Sequence, residues 1–111
     1  MLAMTVANNL FSQDSWEIHL KVDTAYYNID STYGFRVFPI EIYEEDDRIV
    51  IAQYRETGLV YNLLDIVDVY EDTIGYYIYQ CMEMGEELQF TWLVEENQAI
   101  LEGRSMRIHY K

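Results

Sequence analysis

The stretch Ile74-Gly75-Tyr76-Tyr77-Ile78-Tyr79-Gln80-Cys81-Met82-Glu83-Met84-Gly85-Glu86-Glu87-Leu88-Gln89-Phe90-Thr91-Trp92-Leu93-Val94-Glu95 decides the fold. Leu88, Phe90 and Trp92 share one parity and Gln89 and Thr91 the other, the period-two pattern of a strand with one buried face. Ile74 to Met82, rich in Tyr and Ile, reads as its partner strand. The polar, glycine-containing step Glu83-Met84-Gly85-Glu86 joins them as an antiparallel hairpin.

Toward the C-terminus, Asn97-Gln98 reads as a turn, Ala99 to Leu101 as a short strand, Gly103 as a break and Ser105 to Tyr110 as the last strand. Toward the N-terminus, Leu59 to Tyr70 supports two readings. Leu59, Leu63, Ile66 and Tyr70 fit a helix capped by Thr57, whereas the β-branched Val60, Ile66, Val67 and Val69 favour a strand, at least over the second half. Arg48 to Arg55 sets Ile49, Ile51 and Gln53 against Val50, Ala52 and Tyr54, so both faces are apolar and the strand is expected to be central.

Phe35 to Tyr43 alternates, with its phase broken at Phe38-Pro39. Pro39 is the only proline and cannot donate to a ladder, which predicts an edge strand, a bulge, or both. Glu44-Glu45-Asp46-Asp47 reads as a turn. Thr24 to Gly34, polar and carrying Tyr26, Tyr27 and Tyr33, reads as a tyrosine-bearing loop suited to a binding surface. Ser15 to Asp23 alternates as the first strand, with Trp16, Ile18, Leu20 and Val22 inward. Residues 1–12 form a short helix, from Leu2, Val6 and Leu10, or a loose lead.

The expected fold is therefore mainly β, with α+β as the variant if the helical readings hold. It is one antiparallel sheet, curled or closed into a small barrel or sandwich, with at most one or two short helices. The 111 residues fit a single domain spanning 1–111.

Charge is the main functional signal. The chain carries 20 acidic residues against 7 Lys and Arg, a net charge of −13. From Glu56 to Glu102 there is no Lys, Arg or His, but there are eleven carboxylates. Such a field disfavours nucleic acid and anionic membranes as direct partners and favours a basic protein. If Phe35 to Gln98 runs as an up-and-down meander, alternate turns share an end. Glu44, Glu45, Asp46, Asp47, Glu71, Asp72, Glu95 and Glu96 would then gather on one rim.

Signatures of catalysis are missing from the sequence. The glycines are isolated, no serine sits in a nucleophile-elbow context, and neither histidine neighbours Cys81 or a serine. Glu44 to Asp47 lacks the spacing of a calcium loop, so no metal or other cofactor is expected. Cys81 is alone, which excludes an internal disulfide and suits a reducing compartment. With no basic residue before its apolar start, the chain reads as cytoplasmic, in the host cytoplasm if phage-encoded.

Trp16-Glu17-Ile18-His19-Leu20-Lys21 and Met106-Arg107-Ile108-His109-Tyr110-Lys111 share an alternating pattern. It predicts adjacent strands, His19 near His109, and Lys21, Arg104, Arg107 and Lys111 on one surface.

These features rank three readings. The first is a non-enzymatic acidic inhibitor that occupies the basic surface of a nuclease or nucleic-acid-binding protein, as a phage-type DNA mimic or a toxin immunity protein does. Its contacts would be the eight rim carboxylates with Tyr26, Tyr27 and Tyr33. The second is a ligand-binding β-barrel or cup lined by aromatics. The third is a structural or regulatory subunit that dimerises through the Pro39 strand.

Overall fold

The computed structural model describes residues 18–71 and 76–111, which form eight antiparallel strands closed into a barrel. The strands are β1 (His19–Ile29), β2 (Thr32–Glu45), β3 (Arg48–Arg55), β4 (Gly58–Glu71), β5 (Tyr77–Glu83), β6 (Glu86–Leu93), β7 (Gln98–Glu102) and β8 (Met106–Tyr110). Each pairs with its sequence neighbours, and β8 returns to β1 through Ala25↔Tyr110 to Ile29↔Met106. Of the expected shapes, this is the small barrel rather than the curled sheet or the sandwich. The readings of an N-terminal helix, of Trp16 and of Ile74 fall outside the described residues.

Closure follows from the alternation. Ile40 and Ile42 on β2, Ile49 and Ile51 on β3, Leu64 on β4, Tyr79 and Cys81 on β5, and Leu88 and Phe90 on β6 are all buried in one core. Facing outward are charged side chains, among them Lys21, Arg48, Asp65, Asp68, Glu87, Glu102 and Arg107 (their burial ranges from partial to none). Exposed apolar side chains, among them Tyr33, Phe35, Val37, Tyr61, Leu63 and Val67, stand on the surface beside these charges. No helix among the described residues is long and apolar enough to cross a membrane.

The β3 expectation holds, and the structure supplies its cause. Ile49 and Ile51 enter the core, whereas Val50 and Ala52 face outward yet are 4% and 1% exposed. Their cross-strand neighbours Tyr43, Leu63, Glu41 and Tyr61 cover these small side chains.

Residues 59–70 resolve as strand. Leu59, Tyr61, Leu63 and Asp65 alternate outward against Asn62, Leu64 and Ile66. The register with β5 shifts by one between Ile66 and Asp68, leaving Val67 as an extra residue. Past that bulge Val69, opposite the buried Tyr79, takes the phase of Ile66, and Tyr70 takes the other, so the helix-like spacing of Leu59, Leu63, Ile66 and Tyr70 does not mark one face.

Pro39 also marks a bulge, where the two residues Phe38-Pro39 oppose Asp23 alone. Of the two alternatives the bulge holds; β2 is not an edge strand along its length, since it pairs with both neighbours from Ile40 to Tyr43. Only Thr32 to Pro39 lacks a partner on the β3 side.

Thr24 to Gly34 is not a loop. Tyr26 and Tyr27 lie on β1 and Tyr33 on β2, and only Asp30-Ser31 turns. Pairing of this segment with both β2 and β8 overrides the turn-forming composition that suggested a loop.

The echo strands are neighbours, but their register parts the histidines. His109 pairs with Tyr26, while His19 pairs with Tyr43 and bonds Glu41 at 2.8 Å. That contact with the His19 ring is the main cause holding the Glu41 carboxyl below its usual range. His109 instead meets Gln98 at 2.8 Å, and burial lowers its pKa, aided by Lys111 and Arg107. The four basic residues divide between the seam's two ends: Lys21 and Lys111 border one groove, Arg104 and Arg107 another.

Two-residue turns close four hairpins, and at three of them, Asp30-Ser31, Asp46-Asp47 and Met84-Gly85, both central residues have positive φ. These values match the type I′ turn, which favours glycine at its second position. Asp47→Gly should therefore stabilise the fold by about 0.5–1 kcal/mol through relief of the left-handed conformation. Urea unfolding checks this, and a lower midpoint would show that the Asp47 side chain supports the turn.

Candidate functional site

The meander gives the barrel two unlike ends. At one lie the turns at 46–47 and 94–97 and the start of the β4–β5 connection; at the other lie those at 30–31, 56–57, 84–85 and 103–105. Glu45, Asp46, Asp47, Glu71, Glu95 and Glu96 are exposed at the first end, with Glu44 half-buried beside them. Asp72 lies outside the described residues. The described turns of the expected rim therefore lie toward one end of the barrel. The tyrosines do not join it, since Tyr26, Tyr27 and Tyr33 lie toward the opposite end.

At that opposite end the barrel is unfilled. A cavity of about 350 Å3 opens there, bordered by Tyr27 and Ile29 of β1, Arg36 and Phe38 of β2, Gln53 and Arg55 of β3, and residues of β4, β5, β7 and β8. Below it, Leu20, Ile40, Ile42, Ile49, Ile51 and Phe90 are fully buried and close the barrel as a floor. The mouth opens because the strands are staggered. β1 and β2 continue past the last β2–β3 pair, Ile40↔Gln53, and raise one wall above the rest.

Polar side chains enter this mouth in core phase. Gln53 follows Ile49 and Ile51 inward and is 9% exposed. Arg55 Nη2 donates to Gln53 Oε1 at 3.1 Å, Gln53 Nε2 donates to Asn62 Oδ1, and Asn62 Nδ2 donates to Glu83 Oε2 at 3.4 Å. The chain spans β3, β4 and β5 and satisfies the buried Gln53 amide at both ends. The Arg55 guanidinium also lies over the Phe38 ring, 5.1 Å from its centroid. Two fixed contacts therefore aim one cation into the mouth. Ala25, Leu101, Ile108 and Tyr110 supply the deeper lining. Burial, and then the charge of Glu83, raise the Tyr110 phenol well above its usual pKa, so it stays a hydroxyl donor.

Tyr27 completes the wall by lying over Gly34, where an added Cβ would come 2.6 Å from Tyr27 Cζ. Gly34→Ala should displace the Tyr27 ring, enlarge the opening and cost about 1–3 kcal/mol. Thermal unfolding with the ring resonances of Tyr27 tests this; an unmoved ring in a variant of parental stability would refute it.

Gln53, Asn62, Glu83, Arg36, Arg55 and Tyr110 were not singled out by sequence reasoning. One signal was present: Gln53 is a polar residue in phase with Ile49 and Ile51 on an otherwise apolar face. Among the described residues no group of three or more His, Cys, Asp or Glu side chains could hold a metal ion. Comparison with known families, with curated proteins and with solved structures gives no match to this chain.

Proposed function

We propose that this barrel binds a small molecule in its open mouth. The observation carrying the reading is a half-open cavity of about 350 Å3 above a filled core, with a hydrogen-bonded polar chain on its wall. Small-molecule sites combine an apolar lining with a few fixed polar groups in this size range, and the mouths of β-barrels commonly hold them. A fragment screen followed by NMR tests it. Hits should cluster on Tyr27, Phe38, Met106 and Ile108, whereas hits spread over the outer faces of β2–β4 would count against the cup.

A second reading, the acidic inhibitor of a nuclease or nucleic-acid-binding protein, draws on a separate observation: the turns at 46–47 and 94–97 and the end of β4 at Glu71 bring carboxylates to the other end. Its mechanism is charge steering toward a basic surface. Capture from a lysate at low salt, with graded salt elution, would identify such a partner. Reversal of Glu45, Asp46, Glu95 and Glu96 to Lys should slow association about tenfold or more. Unchanged association of a folded variant would dismiss this mechanism.

A further inference from the structure

Seven Lys and Arg face twenty carboxylates in this chain, so each cation has many candidate partners. Arg48 pairs with Asp65 at 3.0 Å and Arg107 with Glu102 at 3.5 Å. Arg36 and Arg55 both border the mouth, and neither forms an ion pair with a carboxylate among the described residues. The surplus of acid makes this arrangement informative. Arg55 is held by Gln53 and Phe38, two uncharged partners that fix its position without neutralising it.

A second observation lies deeper in the same cavity. Tyr110 is 4% exposed and borders the cavity, yet its hydroxyl has no hydrogen-bond partner among the described residues. Buried hydroxyls are normally satisfied, so an orphaned one beside a cavity suits a polar ligand atom there. Ala25, Leu101 and Ile108 line the same cavity and suit an apolar body. Glu83, held by Asn62 on another wall, repels a second negative charge.

Resting on the cup reading, we infer that the mouth takes a small aromatic monocarboxylate carrying a hydrogen-bonding group at its far end. Arg55 and Arg36 hold the carboxylate, the rings of Tyr27 and Phe38 border the body, and the Tyr110 hydroxyl bonds the distal group. Guanidinium suits this task because its planar donors match a carboxylate in charge and geometry. The aromatic choice follows from the ring-bearing lining, whose faces favour offset or edge-on ring contacts.

The test uses 4-hydroxyphenylacetate, its neutral amide 4-hydroxyphenylacetamide, and phenylacetate, which lacks the distal oxygen. Binding is followed by NMR on the methyl groups of Ala25, Leu101 and Ile108. The acid should shift these methyls and bind about tenfold or more tightly than the amide. Arg55→Gln and Arg36→Gln should each weaken the acid several-fold and leave the amide unchanged, while Arg55→Lys should restore part of the loss. Tyr110→Phe should weaken 4-hydroxyphenylacetate and spare phenylacetate. Equal affinity of acid and amide, insensitive to both arginines, would overturn the anion assignment and leave the cup standing. Shifts absent for all three probes, or confined to the Arg104–Arg107 groove, would overturn both.

Discussion

Phe90→Ala should remove about 3–5 kcal/mol of stability, the largest loss expected from any single truncation described for this barrel. Phe90 is 0% exposed and meets Tyr79 edge-on at 6.2 Å between centroids. Its β7 neighbour Leu101 is itself buried. Eight strands in a closed ladder cannot collapse onto the space left by a ring, so the cavity term adds to the lost transfer energy. Thermal unfolding should report a fall of roughly 10–25 °C for a domain of this size. Trp92→Ala should cost less, although the sequence places Trp92 in the same inward set. Trp92 is only half-buried and contacts Tyr77 at 5.7 Å near one end of β6. A Phe90 loss below about 1 kcal/mol would mean the inward face of β6 is assigned wrongly.

The thiol of Cys81 should be nearly inert in the folded protein. Cys81 is 2% exposed, and burial, followed by the charges of Asp65 and Glu44, pushes its pKa up to about 12. At pH 8 such a group is about a thousandfold less ionised than an ordinary thiol, while its greater intrinsic nucleophilicity recovers roughly one order of magnitude. Alkylation by iodoacetamide should therefore run about a hundredfold slower than in urea-unfolded protein, before any further protection from limited access. Equal rates would show that the β4–β5 region opens readily. Destabilising Phe90 should raise the rate, because reaction then reports the population of open molecules.

The opposed ends of the barrel shape how its charges act. Six exposed carboxylates stand at the filled end with Lys21 and Lys111, while the open one carries Arg36 and Arg55 in the mouth together with Asp30, Glu56, Glu83, Glu86 and Glu102. The two proposed activities therefore occupy different surfaces. Charge reversal at the rim and arginine replacement at the mouth can separate them in one set of variants.

Alternation by itself carried much of the architecture. The β5–β6 hairpin, the double-sided burial of β3, the break at Phe38-Pro39 and the shared end of the acidic turns are all local consequences of side-chain period and turn chemistry. Period two also limits what alternation can specify, because every shift by two residues preserves it. Matching patterns in the first and last strands indicated neighbours but not register, so His19 and His109 came out on different pairs. The strand at Thr24–Gly34 was hidden because its Tyr, Asn, Thr and Asp resemble a loop until β2 and β8 pair with it. The mouth was hidden more deeply. Its cavity exists because strands of unequal length close with a stagger, leaving Arg36, Arg55, Gln53, Asn62, Glu83 and Tyr110 around one space. These residues are spread over five strands, and their meeting depends on closure and register, which are tertiary quantities that no local pattern encodes.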